Sequence, residues 1–303
     1  NPVFRRVFKP FSYAPVDIQI GAEKVFTGTL LHVNPATTDE SSAVACTGYG
    51  VAGVLSDCTA PPSLYPLEFF GADLREIAER LCAPFGVNVV FESDPGPRFD
   101  IVDLPPTQAI WQFLTNLAAD RGLLIRDNGR GDLVFYELSI SGPIEAQLKE
   151  RQPPVTSVVP TFDPQRYFSD ISGLSAYTVG LDGTSYTVKN PRLQGSLRPH
   201  TFTIPDSYEG DIVTAVEANA ARMFAEAASY VVQLVGWRTP SGGLWAPGQL
   251  VELAAPRAMI YTNYKFLVRS VELIARRDQR VTELTLVLPE AFTKTQPGAL
   301  PWD

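Results

Sequence analysis

A chain of 303 residues exceeds one ordinary small domain, and 45% hydrophobic with 19% charged residues excludes a predominantly disordered protein. Its net charge of −8 argues against a general affinity for nucleic acid, which needs clustered Lys and Arg to neutralise phosphates. Twenty-six prolines disfavour long helices and favour turns, edge strands and rigid connections, so a β-rich, multi-domain architecture is expected.

In chain order, Val16, Ile18 and Ile20 alternate with Asp17 and Gln19, the period of a half-buried strand. A turn at Gly21–Lys24, a return strand Val25–Leu30, the polar loop Asn34–Glu40 and a strand Ser41–Thr47 complete a β-meander resembling a small barrel or sandwich. The texture changes after Pro61-Pro62. Leu74, Ile77, Ala78, Leu81, Cys82 and Phe85 have helical spacing, with Gly86 as the stop and Val87–Phe91 as the next strand. Pro105-Pro106-Thr107 opens a second helix carrying Ala109, Ile110, Phe113, Leu114, Leu117 and Ala118 on one face. Leu123–Ile125 and Leu133–Tyr136 flank Asp127-Asn128-Gly129-Arg130-Gly131, a hairpin signal. Residues 66–138 therefore read as a compact α+β module.

A Pro-rich crossing, Glu150–Pro154, leads to expected strands at Asp170–Val179 and Ser185–Val188 around an Asp182-Gly183 turn. Leu193–Pro199 reads as an extended linker, Glu209–Ala228 as a helix, and Tyr230–Trp237 as a strand. The remainder is β: Leu250–Leu253, then Tyr264–Ala275 and Val281–Leu288 as a hairpin around Arg276–Arg280.

The search for chemistry assigns no catalytic, cofactor-binding or metal-ligating residue. His32 and His200 lack partners for a triad or metal site, and the serines lack a nucleophile elbow. Glu92, Asp94, Asp100 and Asp103 read as solvated carboxylates. Gly48, Gly50 and Gly53 match the spacing of a dinucleotide fingerprint. The motif should open a helix, whereas Val54–Thr59 reads as a turn and strand before prolines, so a nucleotide site is rejected. Arg276, Arg277 and Arg280 are interrupted by Asp278 and Glu283 and read as a solvated turn. Cys82 reads as a core residue; whether Cys46 and Cys58 pair is left open, because sequence does not give their separation. With no visible secretory leader, folding in a reducing cytosol with free thiols is expected. Asn1 is not an initiator, which leaves room for native residues ahead of it. No apolar run approaches the roughly 20 residues needed to span a bilayer, so no membrane insertion is expected.

Four stretches together resemble the baseplate hub proteins of contractile-tailed phages, particularly the Mu-like group. They are Ala45–Thr59, similar to the family's "Gly-Arg-Ser … Leu-Val-Asp-Cys-Ser" stretch but with Tyr49-Gly50 in place of Arg-Ser; Leu74–Val89, ending Pro84-Phe85-Gly86-Val87; Gln108–Val134, with Ala118-Ala119-Asp120-Arg121-Gly122; and Leu244–Val251 with Thr282–Phe292. The resemblance implies an α+β, β-rich multi-domain fold with two tail-tube-like β-barrel domains and inserted α+β modules. The corresponding divisions are residues 1–62, an N-terminal barrel-like domain; 63–140, the α+β module; 141–240, a mixed segment with strands contributing to the second barrel and an inserted helix-containing domain; and 241–303, the C-terminal barrel strands and tail.

It also implies a structural, non-enzymatic homotrimer in the virion tail baseplate, assembled in the host cytoplasm. Its partners would be the central spike, the tail tube or its initiator, and other baseplate proteins, with no cofactor and no specific nucleic-acid binding. The trimer would join the sixfold tube to the threefold spike. Two alternatives carry other expectations: a periplasmic secretin-like ring component, from the likeness of residues 66–138 to small secretin domains, and a tail-associated peptidoglycan hydrolase using Glu92 or Asp94. The sequence singles out no interface residue.

Overall fold

The computed structural model describes residues 5–6, 8–175, 185–193, 195–204, 212–292 and 298–303. The chain divides into two compact units, Asn1–Glu137 and Leu138–Asp303.

The first unit begins with an antiparallel sheet of β1 (Pro15–Ile20), β2 (Glu23–Thr37) and β3 (Ser42–Gly50), in that order. Gly21 takes φ +65° in the first turn, a conformation costly for any side chain with a Cβ, and Lys24 pairs with Asp17 at 2.9 Å. The far half of β2 and nearly all of β3 are exposed, forming a ribbon with little buried on either face. The expected half-buried face is thus shallow: Ile18 remains 49% exposed.

After β3 the expected turn and strand is instead a 3₁₀ turn, Val51–Gly53, and a four-residue helix, Val54–Asp57. Helical geometry brings Val51, Val54 and Leu55 to one side, and all three pack on the core of the module that follows. That module contains β4 (Glu68–Ala72), α1 (Leu74–Cys82), β5 (Val89–Phe91), β6 (Phe99–Asp103), α2 (Ile110–Asp120), β7 (Leu124–Asp127) and β8 (Leu133–Tyr136). Asp73 accepts from the Glu76 amide at 2.9 Å while Glu76 accepts from the Asp73 amide at 3.1 Å, a capping box that fixes where α1 starts. Gly86 at φ +66° ends the following 3₁₀ turn. Pro105–Gln108 forms a turn, so α2 begins later than expected, at Ile110. β4 and β6 pair antiparallel, while β5 runs parallel to β8, which pairs antiparallel with β7. Leu74, Ile77, Leu81, Ile110, Leu114, Leu133 and Phe135 are fully buried between these elements.

The second unit contains β9 (Ile144–Lys149), β10 (Val155–Phe162), β11 (Asp170–Ser175), β12 (Ser185–Lys189), β13 (Pro199–Ile204), α3 (Ile212–Glu226), β14 (Ala228–Val235), β15 (Leu250–Ala255), β16 (Ile260–Ala275) and β17 (Arg280–Val287). The Glu150–Pro154 crossing is flanked by two strands the sequence did not reveal, β9 and β10. The expected Asp182-Gly183 turn and the outer part of the Asp170–Val179 strand lie outside the described residues, as does Glu209. Pro199, the end of the expected linker, is the first residue of β13, and Gln194 within that linker lies outside the described residues.

β12–β11–β13 forms a small sheet under α3, whose Val216, Ala220 and Phe224 pack with Ile171, Val188 and Ile204. The larger sheet has the order β10–β14–β17–β16–β15–β9. Its core holds Tyr230, Val232, Leu234, Val251, Leu253, Phe266, Val268, Leu284 and Leu286. The fold is therefore a β-rich α+β fold, but the sheets of the described residues are open where barrels were expected. A barrel needs hydrogen bonds between its first and last strands, and β9 and β10, neighbours in sequence, occupy opposite edges.

Candidate functional site

Four of the titratable residues singled out in the sequence, His32, His200, Glu92 and Asp94, are held by local structure. His32 lies on β2 with Nδ1 3.2 Å from Thr47 Oγ1. His200 lies on β13, its ring stacked 4.6 Å from that of Phe168. Arg126 Nη2 donates to both Glu92 carboxylate oxygens at 2.9 Å, and Asp94 accepts from the Gly96 amide at 2.8 Å. Among the described residues no group of three or more His, Cys, Asp or Glu is placed to hold a metal ion.

The three glycines of the fingerprint-like motif answer to packing. A Cβ on Gly48 would collide with the Thr29 carbonyl oxygen across the β2–β3 pair, one on Gly50 with the Asp127 carboxylate, and one on Gly53 with the Tyr49 ring. The motif lets two strands approach and lets Tyr49 lie over the helical turn. Tyr49 itself is shifted upward in pKa, chiefly by burial and then by the nearby Asp57. Arg276 and Gln279 close the β16–β17 turn by backbone hydrogen bonds, and Arg280 lies 5.3 Å from the centre of the Trp237 ring. The three cysteines are free, with Cys46 exposed and Cys82 buried, where desolvation pushes the Cys82 thiol up to about 12.

Several large apolar side chains are also presented outward. On β4 and β6 the register sets Glu68 opposite Asp103 and Phe70 opposite Ile101. Phe69 and Val102 face the core, so alternation turns Phe70 and Ile101 outward, 65% and 63% exposed. The sequence reading placed no strand at either stretch, and only the pairing of β4 with β6 brings the two residues together. In the second unit the edge strand β10 exposes Val159 and Phe162. Pro160 on this strand lacks an amide proton, a residue tolerated at sheet edges. A cavity of about 590 Å³ lies beside it, lined by Phe162, Tyr167, Phe224, Met259 and Trp302 among others. Large apolar side chains left in water, together with unpaired strand edges, are features of surfaces that meet other protein.

Residues 52–137 match the family described as baseplate hub protein gp44-like, second domain. Over 300 residues the chain is 27% identical to the baseplate hub protein gp44 of Escherichia phage Mu, covering 91% of this chain and 75% of that protein. The fold is similar to that of the 43 kDa tail protein of prophage MuSo2 from Shewanella oneidensis, with a TM-score of 0.80 at 23% identity over 93% of this chain and 85% of that one. A more distant likeness, TM-score 0.56 at 7% identity, covers 99% of this chain and 57% of a chain in the PdpA–VgrG complex. With residues 52–137 matching the family's second domain and nine-tenths of this chain aligning with a hub relative at 27% identity, the chain is similar to the Mu gp44-like baseplate hub proteins of phage tails.

Proposed function

We propose that the protein works as a homotrimeric adapter at the centre of the baseplate, joining the sixfold tail tube to the threefold spike. The observation that carries this reading is that, among the described residues, each unit contains an open sheet whose two outer strands are paired on one side only, β1 and β3 in the first and β9 and β10 in the second. Edge strands are templates for pairing with another chain. Counting only the β1–β2–β3 sheet and the six-stranded sheet, a trimer holds six, and two non-identical sheets suit the heterologous contacts of a closed ring. The tail-tube-like barrels implied by the sequence would then be completed between subunits. The four-part division at about residues 62, 140 and 240 belongs to the same proposal.

A spike as partner is supported by the fold likeness to a chain in a complex that contains VgrG. Sedimentation of the purified chain, followed by electron microscopy with and without its spike, tests the reading. A threefold ring with a pseudo-sixfold face is expected; a monomer at all accessible concentrations overturns it.

A further inference from the structure

We infer that the outward face of the β4–β6 pair in one copy receives the cationic, aromatic segment 5–13 of a neighbouring copy. The inference rests on the reading of the chain as a self-associating hub and names a contact within it. Glu68 and Asp103 face each other directly across the two strands, and two residues further along Phe70 faces Ile101. Like charges at opposed positions destabilise a strand pair. Among the described residues neither carboxylate has a cation within 4 Å. The nearest basic side chains in sequence are placed elsewhere: Arg75 over the Phe91 ring at 4.6 Å, Arg80 on the carbonyls of Leu64 and Pro66, and Arg98 on Glu76 and the Gly71 carbonyl. The face is therefore an apolar pair beside an uncompensated negative pair.

Segment 5–13 has the complementary composition. Arg5, Arg6 and Lys9 are exposed and unpaired with any carboxylate among the described residues. Phe11 and Tyr13 are 85% and 61% exposed. Both aromatics also sit at positive φ, 58° and 47°, a region bulky side chains rarely adopt. In the isolated chain that conformation still leaves most of both side chains in water. Three cations interleaved with aromatic rings match two carboxylates beside an exposed Phe–Ile pair, in both sign and chemistry. Since both surfaces stay exposed within one copy, the pairing is between copies.

The test replaces Phe70 with the photo-reactive p-benzoylphenylalanine in the full chain, mixes isotopically light and heavy protein, and maps crosslinks by mass spectrometry. Mixed light–heavy crosslinks from position 70 to the peptide containing residues 5–13 are expected. Crosslinks to another segment, crosslinks only within one copy, or none from a chain that sediments as an oligomer overturn the inference while leaving the hub reading intact. A chain that stays monomeric overturns both. The charge reversals E68K/D103K and R5E/R6E/K9E are each expected to lower the crosslink yield several-fold, and their combination to restore it. Failure of the combined variant to recover, when each parent is folded, likewise counts against the contact.

Discussion

Arg192 and Asp303 hold the segment 298–303 in place through a forked contact. One guanidinium nitrogen donates to Asp303 Oδ2 at 2.7 Å and the other to the Gly298 carbonyl at 2.8 Å, while the Leu300 amide donates to the same carboxylate oxygen at 2.7 Å. The Leu300 amide, and then Arg192, hold the Asp303 carboxyl below its ordinary value of 3.8. A group depressed in the folded state contributes stability that is present above the unfolded value and lost as pH falls through the folded one. Amide exchange at Leu300, corrected for its intrinsic rate, is expected to lose protection as pH drops below 3.8, and D303N is expected to remove that protection at neutral pH. Equal protection in D303N and the parent chain would refute this assignment.

Gly48→Ala is expected to be the costly substitution in the glycine motif. The added methyl meets a backbone carbonyl in a paired strand, which moves only with the strand itself. Overpacking of this kind costs about 1–3 kcal/mol. Gly50→Ala meets only the end of the Asp127 side chain, which can rotate away, and should cost less. Denaturant unfolding of the two variants measures the difference; equal costs would contradict the packing account.

Tyr230 is fully buried, its ring 5.0 Å from that of Phe266, and its hydroxyl has no hydrogen-bond partner among the described residues. Burial, and then the neighbouring Tyr264, push its pKa upward. An unsatisfied buried hydroxyl costs about 1–3 kcal/mol. Tyr230→Phe keeps the ring and removes the orphan, so equal or higher stability is expected. Tyr230→Ala should lose about 3–5 kcal/mol by opening a cavity. A clear loss on Tyr230→Phe would reveal a partner for the hydroxyl.

The three thiols should separate by alkylation under native conditions. Exposed Cys46 reacts first, half-buried Cys58 next, and Cys82 only after unfolding, since the thiolate is the nucleophile and burial holds this thiol protonated. Mass spectrometry after a timed iodoacetamide pulse orders them. Early labelling of Cys82 would mean that α1 opens locally.

How much of this could be read from the sequence depended on distance along the chain. The two helices of the α+β module were legible because Leu74, Ile77, Ala78 and Leu81, and then Ile110, Phe113, Leu114 and Leu117, carry their periodicity locally. The 127–131 turn was legible for the same reason. β4 and β6 were not: adjacent Phe69 and Phe70 break simple alternation, and Gly71 at φ +57° bends the strand. The outward Phe70–Ile101 pair, the strongest candidate for contact, exists only once the register across the two strands is known. The short helix Val54–Asp57 was missed because four residues hold only one turn of signal. Open sheets in place of barrels follow from strand order, which a local pattern does not contain.

The strand order of the large sheet also bears on how the protein is made. β9 and β10 emerge early in the second unit yet lie at opposite edges, and the strands between them include β15, β16 and β17, from residue 250 onward. A growing chain thus holds two edges long before the middle that joins them is available. Non-local strand pairing of this kind folds slowly and leaves unpaired edges exposed in the interim. The first unit faces a shorter delay, since every strand pair it contains joins strands that both lie between Pro15 and Tyr136. Synthesis should therefore yield a ribosome-bound intermediate with a finished first half and an aggregation-prone second half, which rescue by chaperones would protect until the central strands arrive.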